Sequence, residues 1–150
     1  MLDSDLLSPG RILPEVRIGS KKRLLELISD TFAKKDKTLS SREIFESLCA
    51  REHLGSTSLG NGIAIPHGRI SKIKDVEALF LRLAKPIPFD ADDGQPVDLL
   101  FALVVPEQCT DDHSNLLANI AERFSDRDLL RQLRNADSTT EIWDLISSPQ

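Results

Sequence analysis

The sequence predicts an α/β fold: a single domain with a mixed β-sheet flanked by helices on both faces. Three observations lead there. The run Val97 to Val105, VDLLFALVV, is almost continuously apolar, the pattern of a strand covered on both faces. Segments with helical spacing and capping residues lie both before and after it. The 150-residue length suits one domain able to bury roughly two-thirds of its unfolded surface, so 1–150 reads as one unit with no room for a second.

Residues 1–19, with two prolines and two glycines, read as an irregular lead-in containing a short helical turn near Leu6 and Leu7. Ser20 then caps a helix ending near Lys35, with Leu24, Leu25, Ile28 and Phe32 on its apolar face. The cluster Lys21-Lys22-Arg23 falls in its first turn, against the helix dipole, and reads as a solvated face. Ser40 and Glu43 form a capping box before Ile44, Phe45 and Leu48, predicting a second helix to about Glu52. His53 reads as a surface residue.

Val76 to Ala84 and Val97 to Val105 are expected to be strands, with an edge strand or bulge at Ile87 to Phe89 and a turn at Asp93-Gly94. Thr110 can cap a helix whose apolar face is Leu116, Leu117, Ile120 and Phe124, which puts His113 in its first turn. Asp126 caps a helix carrying Leu129, Leu130 and Leu133. Ser138 and Glu141 open a last one with Ile142, Trp143, Leu145 and Ile146.

Net charge is −5, with basic residues scattered, so no nucleic-acid footprint is present and a basic partner is favoured. The opening MLDSDLLSPG has no basic start or long apolar core, and no later run approaches a membrane span. A cytoplasmic protein without membrane insertion is expected. Cys49 and Cys109 show no CxxC pairing and read as two reduced thiols.

The stretch around which the chain is organised is Gly55 to Arg69, GSTSLGNGIAIPHGR. Ile63-Ala64-Ile65 reads as a short buried strand, and Pro66, which donates no hydrogen bond, is expected to end its pairing and leave His67 at the tip. Gly55, Gly60 and Gly62 free the preceding loop to adopt positive φ, so its amides can converge on an anion with Ser56, Thr57 and Ser58 as extra donors. That chemistry suits a phosphoryl group. The same residue types also build ordinary surface loops.

GSTSLGNGIAIPHGR resembles the active-site segment of the enzyme IIA proteins of the bacterial phosphotransferase system, fructose/mannitol class, and most of all their nitrogen-regulatory branch. The resemblance covers about Ser20 to Ile146 and implies the mixed-sheet fold of that family. It implies further that His67 accepts a phosphoryl group from a small histidine phosphocarrier protein and that His113, just past the long strand and Pro106, is the supporting histidine. Arg51 is implied as a helper, with Ser56, Thr57, Gly60, Asn61 and Gly62 as phosphate or partner contacts. No cofactor or metal is required, since amide and hydroxyl donors can spread the charge. Ser58 stands where relatives often have glycine, and positive φ there would strain a serine. Ile65 and Ile70 are expected to form an apolar rim for a weak, transient partner complex.

The function implied is regulatory: phosphorylation of His67 controls binding to target proteins such as transporters or sensor kinases. One alternative is a sugar-specific IIA component that passes phosphate to a IIB cysteine during uptake. Two others are a binding module that has lost transfer and a metal hydrolase using His67, His113 and Asp112 as ligands.

Overall fold

The computed structural model describes residues 6–71, 73–108 and 111–148, with residues 111–113 given by their backbone alone. A turn of 3-10 helix at Pro9–Arg11 leads into β1 (Ile12–Val16). Two helices, α1 (Lys21–Lys35) and α2 (Ser41–His53), precede the short strands β2 (Ser58–Gly60), β3 (Ile63–Ala64) and β4 (His67–Ile70). The long strands β5 (Glu77–Ile87) and β6 (Val97–Pro106) follow, and α3 (Asp111–Arg123), α4 (Arg127–Asn135) and α5 (Thr139–Ser147) complete the order. The sheet order is β1-β5-β6-β3-β2, with β4 also paired to β6. Its pairing is mixed: β5 runs antiparallel to β6, while β3 and β4 run parallel to it.

Strand β6 is the centre of the molecule because its side chains alternate between two apolar layers. Leu99, Phe101 and Leu103 pack with Ile120, Phe124, Leu130, Leu133, Ile142 and Ile146 of the C-terminal helical layer. Leu100, Ala102 and Val104 pack with Leu24, Ile28, Phe32, Ile44 and Leu48 of α1 and α2. Phe124 seals the first layer, its ring 5.1 Å from Phe101 and 6.4 Å from Phe80. Among the described residues no helix is long and apolar enough to cross a membrane.

The helices begin where their caps place them. Ser20, Ser40 and Ser138 accept the amides of Arg23, Glu43 and Glu141, and Asp126 accepts those of Asp128 and Leu129. The cap expected from Thr110 lies outside the described residues, as does Cys109.

The irregular lead-in expected over residues 1–19 is corrected at Ile12–Val16, which forms an edge strand parallel to β5 with Ile12 opposite Phe80. Pro14 disguises it in sequence but is tolerated at a sheet edge. Leu6 and Leu7 are core residues, and the Leu7 carbonyl accepts the Trp143 indole N–H at 3.2 Å.

A second correction concerns Pro66, which does not end the pairing. Ile63 lies opposite Leu99 and His67 opposite Leu103, so β3 and β4 follow β6 in one unbroken register. Pro66 withholds only its own donor, and its carbonyl still accepts the Leu103 amide at 2.9 Å. His67 therefore opens a strand instead of standing at a free tip.

Helix α2 crosses β4 at Gly68, whose absent Cβ would lie 2.5 Å from Ser47 Oγ and 3.3 Å from the Leu48 backbone nitrogen. Gly68→Ala should push α2 off the strand and destabilise the fold by about 1–3 kcal/mol, read as a lower denaturant midpoint. Gly19→Ala, where an added Cβ meets nothing within 4 Å, should leave the midpoint nearly unchanged.

Candidate functional site

The half-buried His67 ring has its Nδ1 2.8 Å from the carbonyl oxygen of Ile65. A carbonyl can only accept, so Nδ1 carries the proton and Nε2 keeps its lone pair. The ring lines a cavity of about 190 Å³ together with Arg51, Ser56, Thr57, Ser58 and Leu59. Ile65, Leu117 and Ala121 supply the apolar remainder of that lining. Burial pushes the imidazole below its ordinary pKa of 6.5. The bond to Ile65 opposes the shift, the Arg51 guanidinium reinforces it, Glu52 opposes it and Arg69 reinforces it. The result is a neutral imidazole with one ring nitrogen available for attack.

Arg51 lies in the last turn of α2, where Nη1 donates to the Gly55 carbonyl at 2.9 Å. That bond fixes the guanidinium at the cavity with its other N–H groups available to oxygen atoms. Ser56 and Thr57 line the cavity, but both hydroxyls already donate elsewhere. Ser56 Oγ donates to the Phe89 carbonyl at 2.9 Å. The Thr57 amide and hydroxyl both go to the Glu52 carboxylate, the amide at 3.2 Å. Ser58 has ordinary φ, so serine costs no backbone strain there.

Gly60, Asn61 and Gly62 do not line this cavity. Asn61 (φ 58°) and Gly62 (φ 83°) are the two central residues of the hairpin joining β2 to β3, a turn that requires positive φ at both. The Gly60 amide goes to Ser58 Oγ and the Asn61 amide to Asp93. Gly62 faces a separate cleft of about 710 Å³, where Arg134 donates to Asp98 and to the Asn61 carbonyl at 2.6 Å. The Asn-Gly pair is a strong hairpin signal in the sequence, and it accounts for these residues without an anion.

The apolar rim is also redistributed. Ile65 lines the cavity, whereas Ile70 is wholly buried in the layer under α1 and α2. Leu59, 37% exposed, takes its place, and Leu54 at the end of α2 is 82% exposed. His53 is exposed, as expected. His113 is the third residue of α3, four positions before the cavity-lining Leu117; its side chain, like that of Asp112, lies outside the described residues.

Sequence reasoning missed Lys21, Glu52 and Phe89. Lys21 does not belong to a solvated face: its ammonium lies 3.0 Å from Glu52 and 4.4 Å from the Phe89 ring centroid. A cation in a first helical turn opposes the dipole, and that mismatch was the available sign of a buried counter-ion.

The His67 shift has a signed consequence. Well above pH 6.5 the ring is neutral whether the chain is folded or unfolded. As pH falls below 6.5 the unfolded chain takes up the proton first, so stability is lost down to the folded pKa. His67→Gln should flatten that acid-side loss, measured as denaturant midpoints across roughly pH 5 to 8.

Comparison with known proteins identifies the family. Residues 5–148 match the family described as Phosphoenolpyruvate-dependent sugar phosphotransferase system, EIIA 2. The chain is 45% identical over 145 residues to a nitrogen regulatory protein of Pseudomonas aeruginosa, covering 97% of this chain and 94% of the relative. A nitrogen regulatory protein of Bradyrhizobium diazoefficiens is 40% identical over 146 residues, covering 97% and 95%. The crystal structure of nitrogen regulatory protein IIA-Ntr from Neisseria meningitidis superposes with a TM-score of 0.90 at 39% identity, covering 96% of this chain and 98% of that one. IIA mannitol from Escherichia coli shares the fold, with a TM-score of 0.77 at 17% identity and coverage of 94% and 99%. By sequence over nearly its whole length, and by a mixed sheet that leads the chain through Pro66 into His67, this protein belongs to the EIIA type 2 family of the phosphotransferase system and resembles its nitrogen regulatory members.

Proposed function

We propose that the protein is a phosphohistidine carrier: it accepts a phosphoryl group on His67 from a small histidine phosphocarrier protein, and its phosphorylation state governs binding to target proteins in the cytoplasm. The observation that carries this reading is the Nδ1 bond to Ile65, which leaves Nε2 as the nucleophile in a cavity shared with Arg51. In transfer, the donor's N–P bond breaks as the Nε2–P bond forms, and the proton stays on Nδ1, hydrogen-bonded to the Ile65 carbonyl. The depressed imidazole pKa keeps the acceptor unprotonated near neutrality. Positioning and charge stabilisation are the main demands of such a step.

Arg51 supplies the positive charge that the equatorial oxygens need, a role for which a planar multi-donor group is suited. His113, in the first turn of the helix that brings Leu117 and Ala121 to the cavity, is assigned the supporting role. Ser56 and Thr57 act chiefly as walls, since their hydroxyl protons are committed. The rim of Leu59 and the exposed Leu54 suit a small, partly apolar contact with the donor. The nitrogen regulatory relatives favour control of target proteins over sugar transport.

Intact-mass analysis with phosphoenolpyruvate, the first phosphotransferase enzyme and a phosphocarrier tests the reading. Wild type should gain one acid-labile phosphoryl group and His67→Ala none. Arg51→Met should slow the gain by roughly a hundredfold, and His113→Ala should impair it. Wild type left unmodified by both nitrogen-branch and sugar-branch carriers would replace the carrier reading with the binding-module one. Efficient discharge to a IIB cysteine would instead support the sugar-specific role.

A further inference from the structure

Behind the wall of the His67 cavity lies a carboxylate that the transfer chemistry does not touch. The side chain of Glu52 is 5% exposed, and its oxygens accept the Thr57 amide, the Thr57 hydroxyl and the Lys21 ammonium. Lys21, itself only 19% exposed, also donates to the Phe89 carbonyl at 3.3 Å and covers the Phe89 ring. That same carbonyl accepts the Ser56 hydroxyl. The contacts close into a ring: Lys21 to Glu52, Glu52 to Thr57, Thr57 to its neighbour Ser56, Ser56 to Phe89, and Phe89 back to Lys21. Three segments distant in sequence, the start of α1, the end of α2 and the loop after β5, meet behind two cavity-wall residues.

The ring depends on its charges. A carboxylate this buried is stable only with a counter-ion and filled lone pairs, and removing one partner of such a pair is more disruptive than never having it. Lys21 is a poor choice for the first turn of α1 taken alone. Asp90 lies 3.5 Å from the ammonium but is exposed, so it is the weaker partner. The position of Lys21 is explained by the wall it secures.

We propose that Lys21 and Glu52 are positioning residues for phosphoryl acceptance at His67, holding the Ser56 and Thr57 wall in a fixed place beside the imidazole. The inference rests on the carrier reading above. It divides the labour at the site: Arg51 faces the phosphoryl group, whereas its neighbour Glu52 faces the protein interior and fixes the geometry. The charged groups acting on His67 are Arg51 and Glu52 from α2 and Arg69 from β4. Among the described residues α3 presents Leu117 and Ala121 to the same cavity.

The test compares Lys21→Met, Lys21→Arg, Glu52→Gln and the double variant Lys21→Met/Glu52→Gln, each first shown to melt cooperatively. Initial phosphorylation rates are measured against phosphocarrier concentration, and exchange of the Thr57 amide and titration of His67 are followed by NMR. Lys21→Met should lower the maximal rate by roughly tenfold to a hundredfold, the scale of a small misplacement. The half-saturating carrier concentration should move less than about threefold, because Lys21 is covered and does not meet the donor. Lys21→Arg should restore most of the rate. Glu52→Gln should speed Thr57 amide exchange and, by removing a negative charge, lower the His67 titration midpoint, whereas general loosening would raise it toward the unfolded value.

A wild-type maximal rate in Lys21→Met, or a loss that Lys21→Arg leaves unrelieved, overturns the assignment. If Lys21→Met does not fold, the double variant, which carries no unpaired buried charge, supplies the rate, and a wild-type value there overturns it equally. Should the wild-type protein accept no phosphoryl group, the carrier reading fails by itself. The NMR arms then judge the pair separately, and unchanged Thr57 exchange with an unchanged His67 midpoint refutes it.

Discussion

The parallel pairing of residues 63–70 with the buried strand β6 is the constraint on which the rest of the molecule depends. Two apolar layers fix β6 from both sides, so a segment held in register along it inherits its rigidity. Proline within that segment removes one donor at the position just before the histidine. The backbone therefore stays in the sheet while the Ile65 carbonyl is turned to hold the imidazole. One register thus sets the place of the ring, its tautomer and the nitrogen that keeps its lone pair.

Around that ring, charge and packing divide cleanly. Burial depresses the imidazole pKa, and Arg51 works in the same direction while offering donors to an anion. Glu52 works against both, and its contact with Lys21 compensates its charge within the protein. The adjacent positions 51 and 52 at the end of α2 consequently have opposite orientations and opposite tasks. Such an arrangement favours a neutral nucleophile beside a cationic clamp, a combination suited to moving a dianionic group between imidazoles.

The apolar surroundings complete the division. Leu59 presents hydrophobic surface at the cavity and Leu54 at the end of α2, whereas Ile70 belongs to the interior. A small rim of this kind is consistent with contacts that form and dissolve rapidly, because a limited buried area leaves little to hold partners together. The larger cleft at Arg134 is built differently, with Asp98 already neutralised by the arginine that crosses Gly62.

Local chemistry determined much of this protein from sequence alone. The caps Ser20, Ser40, Asp126 and Ser138 mark their helices because a hydroxyl or carboxylate is needed wherever amides lack partners. The almost continuously apolar run at 97–105 announced a strand covered on both faces, and the resemblance of the Gly55 to Arg69 segment pointed to His67. What tertiary structure decided was every feature that rests on pairing between distant segments. Strand β1 was hidden by Pro14, continuation through Pro66 needed β6 beside it, and the Asn61-Gly62 turn took its meaning from β2 and β3. The roles of Lys21 and Glu52 were equally invisible, because a buried ion pair is defined by the low-dielectric surroundings that other segments bring to it, and no local window of sequence contains them.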